Sequence, residues 1–126
     1  MKKRAEGLKE AGNKLCKQKK FEEAVGVYTK AIQLNPTAIY YRNRSVANLK
    51  LRRFDNAIED ASSSVQIDKT YSNGYISKAE AHKGLKQYHH AVEAYERAKK
   101  IDPNNIQLPI LITKCKERLQ QNGKLL

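Results

Sequence analysis

Hydrophobic residues recur every three or four positions along most of the chain. In the segment 21–32, apolar side chains occupy the first position and the positions 3, 4, 7, 10 and 11 residues later. Because a strand would alternate with a period of two, this spacing predicts amphipathic helices. We expect seven of them, at roughly 5–18, 21–34, 38–51, 54–67, 72–85, 88–101 and 106–121.

The first six predicted helices form a repeating pattern of pairs. Phe21, Phe54 and Tyr88 begin the second helix of each pair, are spaced by 33 and 34 residues, and are each followed three residues later by an alanine. Small side chains at matching positions allow two antiparallel helices to approach closely. The pattern therefore predicts three stacked helical hairpins. The first helices carry their small residues at Gly12, Ser45 and Ala79.

The seventh predicted helix has an apolar side that we expect to cover the exposed end of the third hairpin, as terminal caps do in helical repeats. Pro109 must lie within the first turn of this helix, where a missing N–H costs little. Asn122-Gly123 predicts its end. The apolar side comprises Ile106, Leu108, Ile110, Leu111, Ile112, Cys115 and Leu119.

The chain has 126 residues and a formal net charge of +12, from 25 Lys and Arg against 13 Asp and Glu. This length predicts a single domain, 1–126. The basic residues are spread along the chain with acidic residues between them, which argues against a nucleic-acid interface. No apolar run approaches the about 20 residues of a membrane span, so we expect no membrane segment. The basic start runs into Ala5-Glu6-Gly7, which predicts no secretory signal.

The cysteines and histidines do not form a reactive or metal-binding pattern. Cys16 and Cys115 lie far apart, so we expect reduced thiols in a cytoplasmic protein rather than a disulfide framework. His82, His89 and His90 lack partners at ligand spacing, which predicts solvated histidines on helix surfaces and no metal site. The isolated glycines form no phosphate-binding loop. We therefore expect neither an enzyme nor a cofactor.

Stacked helical hairpins curve so that the first helix of each pair lines a concave groove. Lys9 and Asn13 are four residues apart and therefore share a helix face, and Asn43 on the next hairpin adds a second amide. A cation beside amide donors suits a carboxylate, although these side chains could equally be solvated polar residues on exposed faces. The other residues that we expect in the groove are Glu6, Cys16, Lys17, Ile39, Arg42, Val46, Leu49, Lys50, Asn73, Ile76, Ser77, Glu80 and Lys83.

The repeated small and aromatic positions resemble those of the tetratricopeptide repeat, a helix–turn–helix unit of about 34 residues. The resemblance implies an all-α, right-handed superhelix with a concave groove, built from repeats at about 5–37, 38–71 and 72–105 and a capping helix at about 106–121. The chain departs from the family pattern in having no Trp. It also has Lys69 at the position where Pro closes the other two repeats.

Segments 9–15 (KEAGNKL) and 40–45 (YYRNRS) are similar to tetratricopeptide domains of chaperone-binding co-chaperones and of the type-five serine/threonine phosphatase. Those domains hold the C-terminal EEVD peptide of heat-shock chaperones in a two-carboxylate clamp. Lys9, Asn13 and Asn43 match three clamp residues, whereas Asn73 and Ser77 stand where the family has Lys and Arg.

The resemblance implies a protein-interaction adaptor with an altered clamp, whose peptide-binding residues also include Arg42, Val46 and Lys50. Three alternatives remain. The chain could be a scaffold for a non-chaperone partner, which Asn73, Ser77 and Glu80 favour. It could be the regulatory domain of a phosphatase, or a basic RNA-binding protein.

Overall fold

A computed structural model describes the backbone of residues 1–125 and the side chains of residues 1–121. Over the described backbone the chain forms seven α-helices and no strand, which confirms the predicted all-α class. None of these helices combines the length and the apolar character that a bilayer crossing requires. The helices are α1 (Lys2–Lys17), α2 (Phe21–Leu34), α3 (Ala38–Lys50), α4 (Phe54–Ile67), α5 (Ser72–Gly84), α6 (Tyr88–Ile101) and α7 (Gln107–Leu125).

The three hairpins close with the same tight connection. Lys19, Arg52 and Lys86 have φ values of 61°, 60° and 60°, in the left-handed region. The backbone N–H of the next residue then donates to a carbonyl in the last turn of the preceding helix, for example from Lys20 to Leu15 at 2.8 Å. Such a reversal satisfies the end of one helix and starts the next one antiparallel to it.

The small residues lie where the helices of a hairpin cross. Ala24, Ala57 and Ala91 are fully buried. Ser45 on α3 donates a hydrogen bond to the Ala57 carbonyl on α4 at 2.7 Å. Gly12 lies against the ring of Tyr28, so that a Cβ at Gly12 would overlap the ring. These contacts confirm the predicted close approach.

Helix α7 covers the end of the third hairpin, as predicted. Leu108, Ile112 and Cys115 are buried against α6 in one core cluster. The predicted apolar side is nevertheless too wide, since Ile106 and Ile110 are 81% and 55% exposed. Ile106 lies two residues before Leu108 and Ile110 lies two residues after it. A shift of two residues turns a side chain away from the face on which Leu108 packs against α6.

The end of α7 and the environment of His82 differ from the predictions. The α7 backbone continues through Asn122-Gly123 to Leu125, because a glycine within a helix lowers its stability without necessarily ending it.

His82 is only 9% exposed and is therefore not a solvated surface residue. Its ring stacks on that of His90 at 5.0 Å, and its Nδ1 lies 2.8 Å from Oε1 of Gln87.

Candidate functional site

The first helices of the three hairpins pack side by side, with α3 in contact with both α1 and α5. This packing brings Asn13 and Asn43 together, although they are 30 residues apart in the chain. The Asn43 side-chain amide donates to Oδ1 of Asn13 at 3.3 Å. The structure therefore joins the two predicted amides into one cluster.

A tyrosine from the second helix orients this cluster. The Tyr28 hydroxyl donates to Oδ1 of Asn13 at 2.5 Å. Because Tyr28 and Asn43 both use the carbonyl oxygen, the two N–H donors of Asn13 remain for a ligand. Burial raises the pKa of Tyr28 well above its usual value, and the contact with Cys16 adds to this effect. The hydroxyl therefore stays protonated and can donate. Sequence reasoning missed Tyr28, whose only signal is an aromatic residue four positions after Ala24.

Lys9, one helical turn before Asn13, has a partner within its own helix. Lys9 Nζ lies 2.9 Å from a carboxylate oxygen of Glu6. The other oxygen of Glu6 accepts a hydrogen bond from the Tyr40 hydroxyl at 2.5 Å. These hydrogen bonds from Tyr40 and Lys9 lower the pKa of Glu6. Burial and the Glu6 contact raise the pKa of Tyr40 to about 12. Glu6 therefore positions Lys9, but it also competes with any incoming carboxylate.

Further along, α3 and α5 form a pocket of about 360 Å³. Its lining includes three cations, Arg42, Lys50 and Lys83, against the single carboxylate of Glu80. Nε of Arg42 is buried and has no hydrogen-bond partner among the described residues. The pocket thus offers positive charge. Its apolar lining comes from Val46 and Leu49.

The two predicted residues of α5 lie in different environments. Asn73 is exposed. Ser77 is only 3% exposed, and its hydroxyl lies 2.7 Å from that of Ser45. The structure therefore places Ser77 between α3 and α5 rather than in the groove, because its short side chain pairs with the neighbouring helix.

Comparison with known proteins identifies the repeat. Models of the tetratricopeptide repeat match residues 5–38 and 72–105. Serine/threonine-protein phosphatase 5 of Rattus norvegicus is 37% identical over 96% of this chain, which spans 24% of that protein. The Hsp70-Hsp90 organising protein of Plasmodium falciparum is 39% identical over 99% of this chain, which spans 50% of that protein. The chain thus spans about a quarter of the phosphatase relative and half of the organising protein.

Solved structures match nearly the whole chain. The first tetratricopeptide domain of the human RPAP3 protein has a TM-score of 0.94 and 30% identity, and the match covers 98% of each chain. The first such domain of Spaghetti (RPAP3), bound to the HSP90 peptide SRMEEVD, has a TM-score of 0.91 and 30% identity, covering 95% of this chain and 96% of that one. The stacked hairpins and these matches show an interaction module that belongs to the tetratricopeptide repeat family.

Proposed function

We propose that this chain is an adaptor module that binds the acidic C-terminal peptide of a heat-shock chaperone in its concave groove. The observation that carries the proposal is the contact between Asn13 and Asn43, in which the carbonyl oxygen of Asn13 is occupied and its N–H donors have no partner among the described residues. Lys9 lies one helical turn before Asn13 on the same face of α1. The Spaghetti domain, which shares the fold, was solved with a peptide that ends in EEVD. Such a partner implies a role in the cytoplasm.

The cluster supplies what a terminal carboxylate needs. Lys9 provides the charge, and the two amides provide N–H donors that fix the orientation of the peptide end. Hydrogen bonds to a charged group contribute about 1.5–3 kcal/mol each, against about 0.5–1.5 kcal/mol for neutral pairs. The pocket around Arg42, Lys50 and Lys83 would receive the acidic side chains upstream of the terminus.

Calorimetry with the peptide SRMEEVD and its C-terminal amide tests this proposal. We expect the amide to bind at least about tenfold more weakly, a difference of about 1.4 kcal/mol. Lys9→Ala should abolish the preference for the free carboxylate, because it removes the cation that lies one helical turn before Asn13 on the same face of α1. Lys14→Ala, at an exposed position of the same helix, is the matched control and should change nothing. Equal affinities for both peptides would overturn the proposal.

A second candidate function is a scaffold that binds an internal acidic segment of a non-chaperone partner. Asn73 and the buried Ser77 favour it, because neither supplies the positive charge that the family has at these positions. In this case the amidated peptide should bind as well as the free one.

The likeness to the phosphatase supports a third candidate, a regulatory domain whose groove holds a segment of a larger enzyme. In this case SRMEEVD should raise the phosphatase activity of the longer protein by displacing that segment. No change in activity would count against this candidate.

A further inference from the structure

Two grooves occupy equivalent positions in the second and third repeats, on the side opposite the concave groove. The first groove, lined by α3 and α4, is filled by a carboxylate of the chain itself. Arg44 donates to both oxygens of Asp60, at 2.9 and 2.7 Å, and Asn48 donates to the same carboxylate at 3.1 Å. Asp60 is only 5% exposed, and the cavity left in this groove is about 160 Å³.

The second groove, between α4 and α6, has lost this carboxylate. At the positions 34 residues later, Lys78 replaces Arg44, His82 replaces Asn48 and Ala94 replaces Asp60. The cation and a nitrogen-bearing side chain are kept, but the internal acceptor is gone. A cavity of about 750 Å³ opens between the helices, with Lys78, His82 and Ala94 in its lining.

Positive charge has also been added to the second groove. Arg97 and Lys100 line it at the positions where the preceding repeat has Ser63 and Gln66. Within the described part of the chain, no carboxylate lies within 4.0 Å of the charged nitrogens of Lys78, Arg97 or Lys100. The guanidinium of Arg97 instead lies over the ring of Tyr75, at 5.7 Å.

The two glutamates of this groove lie close to other side chains, Glu96 to a lysine and Glu93 to a histidine. Glu96 lies 3.7 Å from Nζ of Lys116 on α7. Glu93 lies 3.9 Å from Nε2 of His89. The stacked rings of His82 and His90 complete the lining. The groove therefore has basic side chains without acidic partners at the place where its counterpart holds a carboxylate.

We propose that the groove between α4 and α6 is a second binding site, which takes an Asp or Glu side chain from an acidic segment of a partner polypeptide. That carboxylate occupies the position equivalent to the one Asp60 fills in the first groove. The apolar side chain of Ile58 and the ring of Tyr75 provide contact area for the flanking residues of the segment. This site is independent of the concave groove, because its lining comes from α4, α6 and the opposite face of α5.

Amide chemical shifts of the labelled protein, titrated with octaglutamate blocked at both ends, test this site. We expect shifts at His82, His90 and Arg97. Ala94→Asp should abolish them, because the chain then supplies its own carboxylate as it does at Asp60. Binding of SRMEEVD in the concave groove should be unchanged in this variant. Shifts confined to α1 and α3, or unchanged octaglutamate binding by Ala94→Asp, would overturn the proposal.

A second variant covers the case in which Ala94→Asp fails to fold. Arg97→Ser with Lys100→Gln restores the residues of the preceding repeat at two exposed positions. We expect octaglutamate to bind at least about tenfold more weakly. The control is Lys99→Gln, on the same helix but outside the lining of the groove. It should weaken octaglutamate binding less than the double variant does. If octauridylate bound at these residues more tightly than octaglutamate, the occupant would be a nucleic acid and the proposal would be wrong.

Discussion

At the scale of single residues, Lys9 already has a partner within the chain. Glu6 holds Lys9 at 2.9 Å and is itself held by Tyr40. A peptide carboxylate must displace or share this contact. The side chain that positions Lys9 therefore also limits its use.

Glu6→Gln should strengthen the binding of SRMEEVD by about two- to fivefold, the effect of releasing one surface ion pair. The amide of Gln keeps an oxygen that can accept from Tyr40, so the helix contact is preserved. Calorimetry measures the change. Glu10→Gln removes the same charge from an exposed position of α1 and is the control. If both variants improve binding equally, net charge rather than the Lys9 contact is responsible.

The buried histidine should make the stability of the third hairpin dependent on pH. Burial lowers the pKa of His82, and His90 and Lys78 add to this effect, whereas the contact with Gln87 and the charge of Glu93 oppose it. Because the unfolded chain protonates at about pH 6.5, it binds more protons than the folded chain just below that pH. Stability should therefore fall as the pH drops from about 7 to about 5.5.

His82→Asn, which introduces the residue found at position 48, should reduce this loss of stability. Urea unfolding at the two pH values measures the difference between the variant and the unmodified chain. The control is His89→Asn, because the His89 side chain is largely exposed. An unchanged pH dependence in His82→Asn would show that other groups cause it.

At the scale of the helix, α1 contains two glycines with opposite requirements. Gly7 has open space where a Cβ would lie, whereas a Cβ at Gly12 would overlap the Tyr28 ring. The same ring carries the hydroxyl that orients Asn13. The packing of α1 on α2 and the geometry of the groove are thus linked through one residue.

Gly7→Ala should stabilise the chain by about 0.5–1 kcal/mol, since alanine favours the helix. Gly12→Ala should destabilise it by about 1–3 kcal/mol through overpacking. It should also weaken SRMEEVD binding, because the Tyr28 hydroxyl is displaced from Asn13. Urea unfolding and calorimetry on the pair measure both effects. Stabilisation by Gly12→Ala would mean that the ring moves aside freely.

At the scale of the whole molecule, the chain has a net charge of +12, and two of its cavities are lined by several basic residues. The concave pocket contains Arg42, Lys50 and Lys83, and the groove on the other face contains Lys78, Arg97 and Lys100. The two proposed sites would let one domain hold two acidic segments at once. This arrangement suits an adaptor.

Binding of SRMEEVD should weaken as salt rises, because the Debye length shrinks from about 10 Å at 0.1 M to about 3 Å at 1 M. Partly exposed cations such as Lys50 and Lys83 are screened most. Calorimetry across this range measures the dependence, with the amidated peptide as the comparison. An affinity that does not change with salt would assign the binding to Val46, Leu49 and the other apolar residues of the groove.

The sequence by itself predicted the number and type of the helices, but α1 begins three residues before the predicted start and α7 ends four residues after the predicted end. The bounds of α2, α4 and α6 agree with the prediction at both ends. This was possible because the helical period, the small residues and the connections recur three times in register, and each is a local property of the chain. The same repetition predicted that Lys9, Asn13 and Asn43 face one groove, and the structure brings Asn13 and Asn43 into contact.

Only the tertiary structure decided which side chains reach the groove and how they are oriented. Ser77 pairs with Ser45, 32 residues away, and Tyr28 orients Asn13 from another helix. The groove between α4 and α6 depends on a carboxylate that one repeat has and the next lacks. Periodicity predicts the helix face on which a residue lies. Whether that residue is buried, paired or beside open space depends on the helix that packs against it, which a distant part of the chain supplies.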